Sequence, residues 1–171
     1  PKLHAVMLNA AAAQPGERVL HVGAGAGYYT ALLSEMVGNA GIVDAYEVVD
    51  SVARRAIEAL SERENVKVHI RSGSEGEFDE VDVIYVCAGA TRPAQGWLNA
   101  LRPGGRLVFP LTPSKSFGGI LKIERPVSPD EADYHASFIC PAMFIPCEGL
   151  RGPEDDDLAE AFSKTSMGDV V

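Results

Sequence analysis

Arg18-Val19-Leu20-His21-Val22-Gly23-Ala24-Gly25-Ala26-Gly27-Tyr28-Tyr29 is the stretch on which the fold turns. Its first half is an apolar, partly β-branched run, entered through Pro15-Gly16 and stopped abruptly at Gly23, which predicts a buried strand. Its second half opens a helix from Tyr28 to Val37, with Ala31, Leu32, Met36 and Val37 as the apolar stripe and Gly38-Asn39 as the stop. Glycines between a strand and a helix let the backbone approach a ligand closely, while the helix start offers N–H donors and a positive dipole end. A dinucleotide fingerprint, G-x-G-x-x-G, needs its third glycine at position 28, which is Tyr28 here. The spacing G-x-G-x-G suits a nucleoside with an amino-acid tail better than a pyrophosphate, and it weighs against a nicotinamide-dependent oxidoreductase.

Working outward, Gly41 to Glu47 reads as a second strand. Asp50 is the candidate N-cap of a helix from Ser51 to about Arg63 that turns Val52, Ala56, Ile57 and Leu60 inward. Val66 to Ile70 and Val81 to Cys87 read as the third and fourth strands, the latter nearly continuously apolar, as a strand covered on both faces should be. A short helix around Ala94 to Leu101 leads through Pro103-Gly104-Gly105 into a fifth strand, Arg106 to Pro110. Such alternation predicts an α/β fold: a doubly wound, mostly parallel, Rossmann-like sheet with helices on both faces. Gly119 to Glu124 and His135 to Ile145 follow without a crossover helix and predict a C-terminal antiparallel strand pair. A last helix near Glu154 to Lys164 carries Glu154, Asp155, Asp156 and Asp157 in its first turn, where negative charge complements the helix dipole.

At 171 residues, 46% of them hydrophobic, the chain is expected to form a single domain over 1–171 around one core. It opens at Pro1 with an Ala-rich helical pattern, Leu3 to Ala13, already under way, so an upstream N-terminal segment is expected. The net charge of -9 argues against a nucleic-acid partner or an anionic membrane surface. Arg54, Arg55, Arg63, Lys67 and Arg71 are read as a solvated helix face rather than a phosphate-binding patch. No apolar run is long enough to span a membrane and no signal-peptide pattern appears, so the expected compartment is the cytoplasm. Cys87, Cys140 and Cys147 form no CxxC pair and read as small core residues, and His4, His21, His69 and His135 lack metal-ligand spacing, so no metal is expected.

Glu47 closes the second strand 20 residues after Gly27, where a carboxylate can accept hydrogen bonds from both hydroxyls of a ribose. The ligand then sits beyond the carboxyl ends of the first two strands. Val48 adjoins that carboxylate. Ala88-Gly89-Ala90-Thr91 ends the fourth strand and either lines the same mouth or is a plain strand-to-helix turn. Trp97 reads as core; of Tyr28 and Tyr29, one either covers the ligand or packs.

At these residues a resemblance emerges. Val19 to Leu33, followed by Met36-Val37-Gly38 and Gly41, resembles the protein-L-isoaspartate O-methyltransferases, as do Pro103-Gly104-Gly105-Arg106-Leu107-Val108, Pro110-Leu111-Thr112 and the opening Pro1-Lys2-Leu3-His4-Ala5. The resemblance runs from Pro1 to about Leu150. It implies S-adenosyl-L-methionine as cofactor, bound among His21, Gly23, Ala24, Gly25, Gly27, Tyr28, Glu47, Val48, Ser74, Glu75, Ala88 and Gly89. It also implies methyl transfer to the carboxylate of an isoaspartyl residue in a protein or peptide. No general base is needed, because a carboxylate with a pKa near 4 is already ionised at neutral pH, so no catalytic residue is assigned.

The sequence departs from the family pattern at several points. His21 stands where such methyltransferases usually carry an acidic residue near the methionine end of the cofactor. Ser74 occupies the place of an adenine-contacting aspartate, with Glu75 beside it as a substitute. The loop Gly73 to Val81 is shorter than usual, and the family's active-site serine falls just before Pro1. These departures keep two alternatives open: a methyltransferase with a small-molecule or RNA acceptor, and a degenerate module that binds the cofactor for regulation without catalysis. The sequence assigns no oligomeric state.

Overall fold

A computed structural model describes residues 2–128, 130–131, 133–150 and 152–164. The elements follow the order α1 (Lys2–Ala11), β1 (Arg18–Val22), α2 (Tyr28–Val37), β2 (Ile42–Glu47), α3 (Asp50–Ala59), β3 (Val66–Ile70), β4 (Val81–Val86), α4 (Gln95–Ala100), β5 (Leu101–Leu111), β6 (Gly118–Glu124), β7 (His135–Ala142) and α5 (Asp155–Lys164). One sheet of seven strands runs β3-β2-β1-β4-β5-β6-β7. β1 to β5 are parallel neighbours, and β6 and β7 join antiparallel. The winding reverses between β1 and β4, so the loops leaving those strands part and open a crevice.

Each face of the sheet carries its own core. On one, Val19, Leu33, Val37, Val43, Val83 and Tyr85 pack with Met7 and Ala11 of α1. On the other, Leu20, Ile84, Val86, Leu107 and Phe109 pack around Trp97 of α4. Trp97 and Phe109 are wholly buried, each stabilising the fold by about 1.5–3 kcal/mol through removal from water. Helices therefore cover both faces, as the alternation of strand and helix implies.

The differences lie at element ends and in which side of a helix faces in. α3 ends at Ala59, and its N-cap is Val49 rather than Asp50, with no side-chain capping bond. Asp50 sits instead in the first turn and pairs with Arg54 at 2.8 Å. The inward face of α3 is Ala53 and Ala56, with Leu60 just beyond, while Ile57 is exposed. The buried stripe of α2 is Thr30, Leu33, Ser34 and Val37. Two polar residues take inward positions there because partners wait for them: Thr30 meets His21 and Ser34 meets Asn65. β5 starts at Leu101, not Arg106, and α4 is confined to Gln95–Ala100. β7 stops at Ala142, so Met143 to Ile145 lie beyond the strand. The scattered cations find separate roles: Arg54 with Asp50, Arg63 with Glu35, and Arg71 over the Tyr46 ring. Among the described residues no helix is long and apolar enough to cross a membrane.

Candidate active site

The crevice beyond β1, β2 and β4 holds a cleft of about 430 Å³. Gly23, Gly25, Glu47, Val48 and Ala88 line it, together with Tyr46, Val49, Val52, Ser72, Gly73, Cys87 and the segment Ile145 to Glu148.

The floor is the glycine turn. Gly23 has φ 78°, where a side chain is strained, and a Cβ there would lie 3.3 Å from the main-chain carbon of Cys87, so glycine favours the close approach of β1 and the β4 exit. Gly27 has φ 93° and would carry its Cβ to 2.9 Å from Leu60 Cδ1, which seats the start of α2 against the end of α3. The turn is then tied down from within. The amides of Gly23 and Ala24 both donate to Tyr46 O, at 2.9 and 3.0 Å, and Gly27 N donates to Ala24 O at 3.0 Å.

Glu47 completes the lock. Its Oε2 accepts from Gly25 N at 2.9 Å and its Oε1 from Val49 N at 3.0 Å. A carboxylate oxygen can accept more than one hydrogen bond. Glu47 is therefore held rigidly at the rim of the cleft with acceptor capacity to spare for a vicinal diol. That geometry fits an adenosyl ribose. It leaves fewer donors for a pyrophosphate, because the amides of Gly23, Ala24, Gly25 and Gly27 are taken by Tyr46, Glu47 and Ala24.

His21 is fully buried beneath the turn, out of the cleft. Its Nδ1 lies 2.9 Å from Thr30 Oγ1 and its Nε2 3.4 Å from Cys87 Sγ, so one imidazole joins β1, α2 and the β4 exit. Burial, with His4 adding to it, pushes its pKa down to about 3, so the ring is neutral at physiological pH. Burial likewise raises the Cys87 thiol to about 12 and the Cys147 thiol, which also feels Glu148, to about 11. Next to this network His4 stacks on Tyr29 at 3.8 Å between ring centres and bonds Tyr85 OH through Nδ1 at 2.9 Å.

The far wall comes from a distant part of the chain. Gly89 N donates to Ile145 O at 2.8 Å and Cys147 N to Gly89 O at 2.6 Å, so Ile145 to Cys147 docks on the β4 exit like a short extra strand. Ser74 Oγ donates to Glu148 O at 2.6 Å and closes the strap over the β3 exit.

Several residues expected at the cofactor do other work. Ser74 is spent on Glu148, and the Glu75 carboxylate lies beside Gly149. Gly89 is roofed by Thr112 Oγ1 and the Phe144 carbonyl, Ala24 is buried, Gly27 faces Leu60, and Tyr28 is exposed outside the cleft. The strap residues Ile145, Pro146, Cys147 and Glu148 carried no sequence motif that would place them here. Cys87 and Cys147 pack with the core as expected and also line the cleft.

The family model for protein-L-isoaspartate(D-aspartate) O-methyltransferase matches residues 1–149. The chain belongs to this family. Its members are S-adenosylmethionine-dependent O-methyltransferases. A protein-L-isoaspartate O-methyltransferase 2 of Pelobacter propionicus is 33% identical over 154 residues, covering 89% of this chain and 67% of the relative. A protein-L-isoaspartate O-methyltransferase of Myxococcus xanthus is 34% identical over 153 residues, covering 87% and 70%. A solved protein-L-isoaspartate O-methyltransferase superposes with a TM-score of 0.76 at 27% identity, covering 89% of this chain and 48% of its own. The fold alone is shared with a Plasmodium falciparum protein at 18% identity and a TM-score of 0.74, solved with S-adenosyl-L-homocysteine. The chain spans about two thirds of those curated relatives and about half of the first solved chain.

Proposed function

We propose that this chain binds S-adenosyl-L-methionine in the cleft and methylates the carboxylate of an isoaspartyl residue in a protein or peptide. The observation that carries the reading is Glu47, fixed by Gly25 N and Val49 N with acceptor capacity facing the cleft. The ribose would lie on Glu47, the base toward Ser72, Gly73 and the strap, and the tail toward Gly23, Cys87 and Ala88. When bound, the cofactor supplies an electrophilic methyl group on a sulfonium. The rest is alignment and exclusion of water. The acceptor carboxylate is an anion at neutral pH, so the chain need only hold an oxygen in line with the methyl carbon. Methyl–oxygen bond formation then accompanies carbon–sulfur cleavage, leaving an ester and the thioether product. Cys87 lines the cleft as a neutral thiol rather than a thiolate, which keeps a competing nucleophile quiet.

The test is incubation of the protein with methyl-tritiated cofactor and an isoaspartyl peptide, beside its aspartyl twin. The expected result is base-labile methyl ester on the isoaspartyl peptide alone. Binding of the cofactor without ester on either peptide would move the acceptor to a small molecule or RNA, or leave a binding module without catalysis.

A further inference from the structure

We infer that this cleft recognises its cofactor through the adenosine and is nearly indifferent to the amino-acid tail. The inference rests on the cofactor reading above and concerns what the residues at the tail end can offer. Three observations carry it.

The first is the charge inventory of the lining. Among the described residues, the charged side chains of the cleft are Glu47 and Glu148. Glu47 is pinned at the ribose position. Glu148 sits on the opposite flank, its carbonyl clamped by Ser74 beside the β3 exit, where the base would lie. Toward β4 the lining is Gly23, Cys87 and Ala88, which present no charge.

The second is His21. It occupies the end of β1 directly under the turn, but its ring is wholly buried and both nitrogens are engaged, by Thr30 and Cys87. It reaches the cleft only through the Cys87 sulfur and holds that wall in place. An ammonium group therefore finds no anionic partner at this end, and a carboxylate finds no cation.

The third is the state of the turn itself. The amides of Gly23, Ala24, Gly25 and Gly27 are all donated within the chain, to Tyr46 O, Tyr46 O, Glu47 Oε2 and Ala24 O. Four of the turn's donors are thus used before any ligand arrives. A charge-assisted hydrogen bond is worth roughly tenfold or more in affinity. Where neither side chains nor these amides make one, the zwitterionic tail stays solvated at the mouth and contributes little.

Calorimetric titration of the whole chain with S-adenosylhomocysteine and with 5′-methylthioadenosine, which keeps the adenosine and thioether but lacks the amino-acid end, decides the matter. The expected result is binding of both, with dissociation constants within tenfold of each other. A loss of more than tenfold on removing the amino-acid end overturns the inference and leaves the proposed function standing. Failure of both ligands to bind overturns the proposed function and this inference with it.

Discussion

The two walls of the cleft are built in different ways. The wall that holds Glu47 comes from β1, the glycine turn, β2 and the start of α3, all within Val22 to Val52, and its hydrogen bonds are local: Gly25 and Val49 to Glu47, Gly23 and Ala24 to Tyr46. The wall across from it joins Cys87 and Ala88 to Ile145 through Glu148, and depends on contacts that span tens of residues, such as Gly89 with Ile145 and Ser74 with Glu148. The first wall is a rigid grip that one short segment specifies. The second is a strap whose place depends on the whole sheet having formed. The proposed sugar contact and the closure of the cleft thus rest on separate parts of the structure, and His21, joining β1 and α2 to the β4 exit, is the seam between them.

The seam gives the largest expected effect. The His21 imidazole has a folded pKa of about 3 against an ordinary 6.5. Between those values the unfolded chain binds a proton that the folded chain refuses, so stability falls as pH drops from 6.5 toward 3, by about 1.4 kcal/mol per pH unit. Denaturant unfolding at pH 6.5, 5.5 and 4.5 should show this slope in the parent chain and a shallower one in His21→Gln. Equal slopes would mean that the seam titrates elsewhere.

The local wall comes next. Glu47→Ala should weaken binding of S-adenosylhomocysteine by roughly 100-fold, the loss of two hydrogen bonds to a charged acceptor. Calorimetry on variant protein with an unchanged circular dichroism spectrum measures it. A change below tenfold would show that the sugar is held by some other group.

The strap gives the smallest change. Ser74→Ala removes the hydrogen bond to Glu148 O and the one shared with Ser72 Oγ, and should cost about 1–2 kcal/mol of stability, measured by denaturant unfolding, with S-adenosylhomocysteine affinity moving far less than in Glu47→Ala. If the strap variant lost affinity as the Glu47 variant does, the two walls would be one unit and the comparison would fail.

The same division explains what the sequence could and could not reveal. Strand, glycine turn, helix and the closing glutamate are consecutive, so periodicity and turn chemistry locate them, and Gly23, Gly25, Glu47, Val48 and Ala88 fall in the cleft. Burial within helices was harder to read. Thr30 and Ser34 turn inward because His21 and Asn65 satisfy them, and such pairing across distant positions leaves no pattern in either segment. The strap was invisible for a related reason. Its segment reads as the tail of a strand, but β7 ends at Ala142, and backbone bonds to Gly89 rather than any side-chain signal carry Ile145 over the crevice. His21 was identified as an oddity; its inward orientation depends on Cys87, 66 residues away.

The lone tryptophan adds a practical corollary. Trp97 is wholly buried in α4, yet its indole N–H donates to the carbonyl of Gly73 at 2.7 Å, and Gly73 lines the cleft at the place proposed for the base. The chain thus contains a single tryptophan wired by one hydrogen bond to one end of its own crevice. Emission should shift when that end fills, making ligand entry observable in real time without any label.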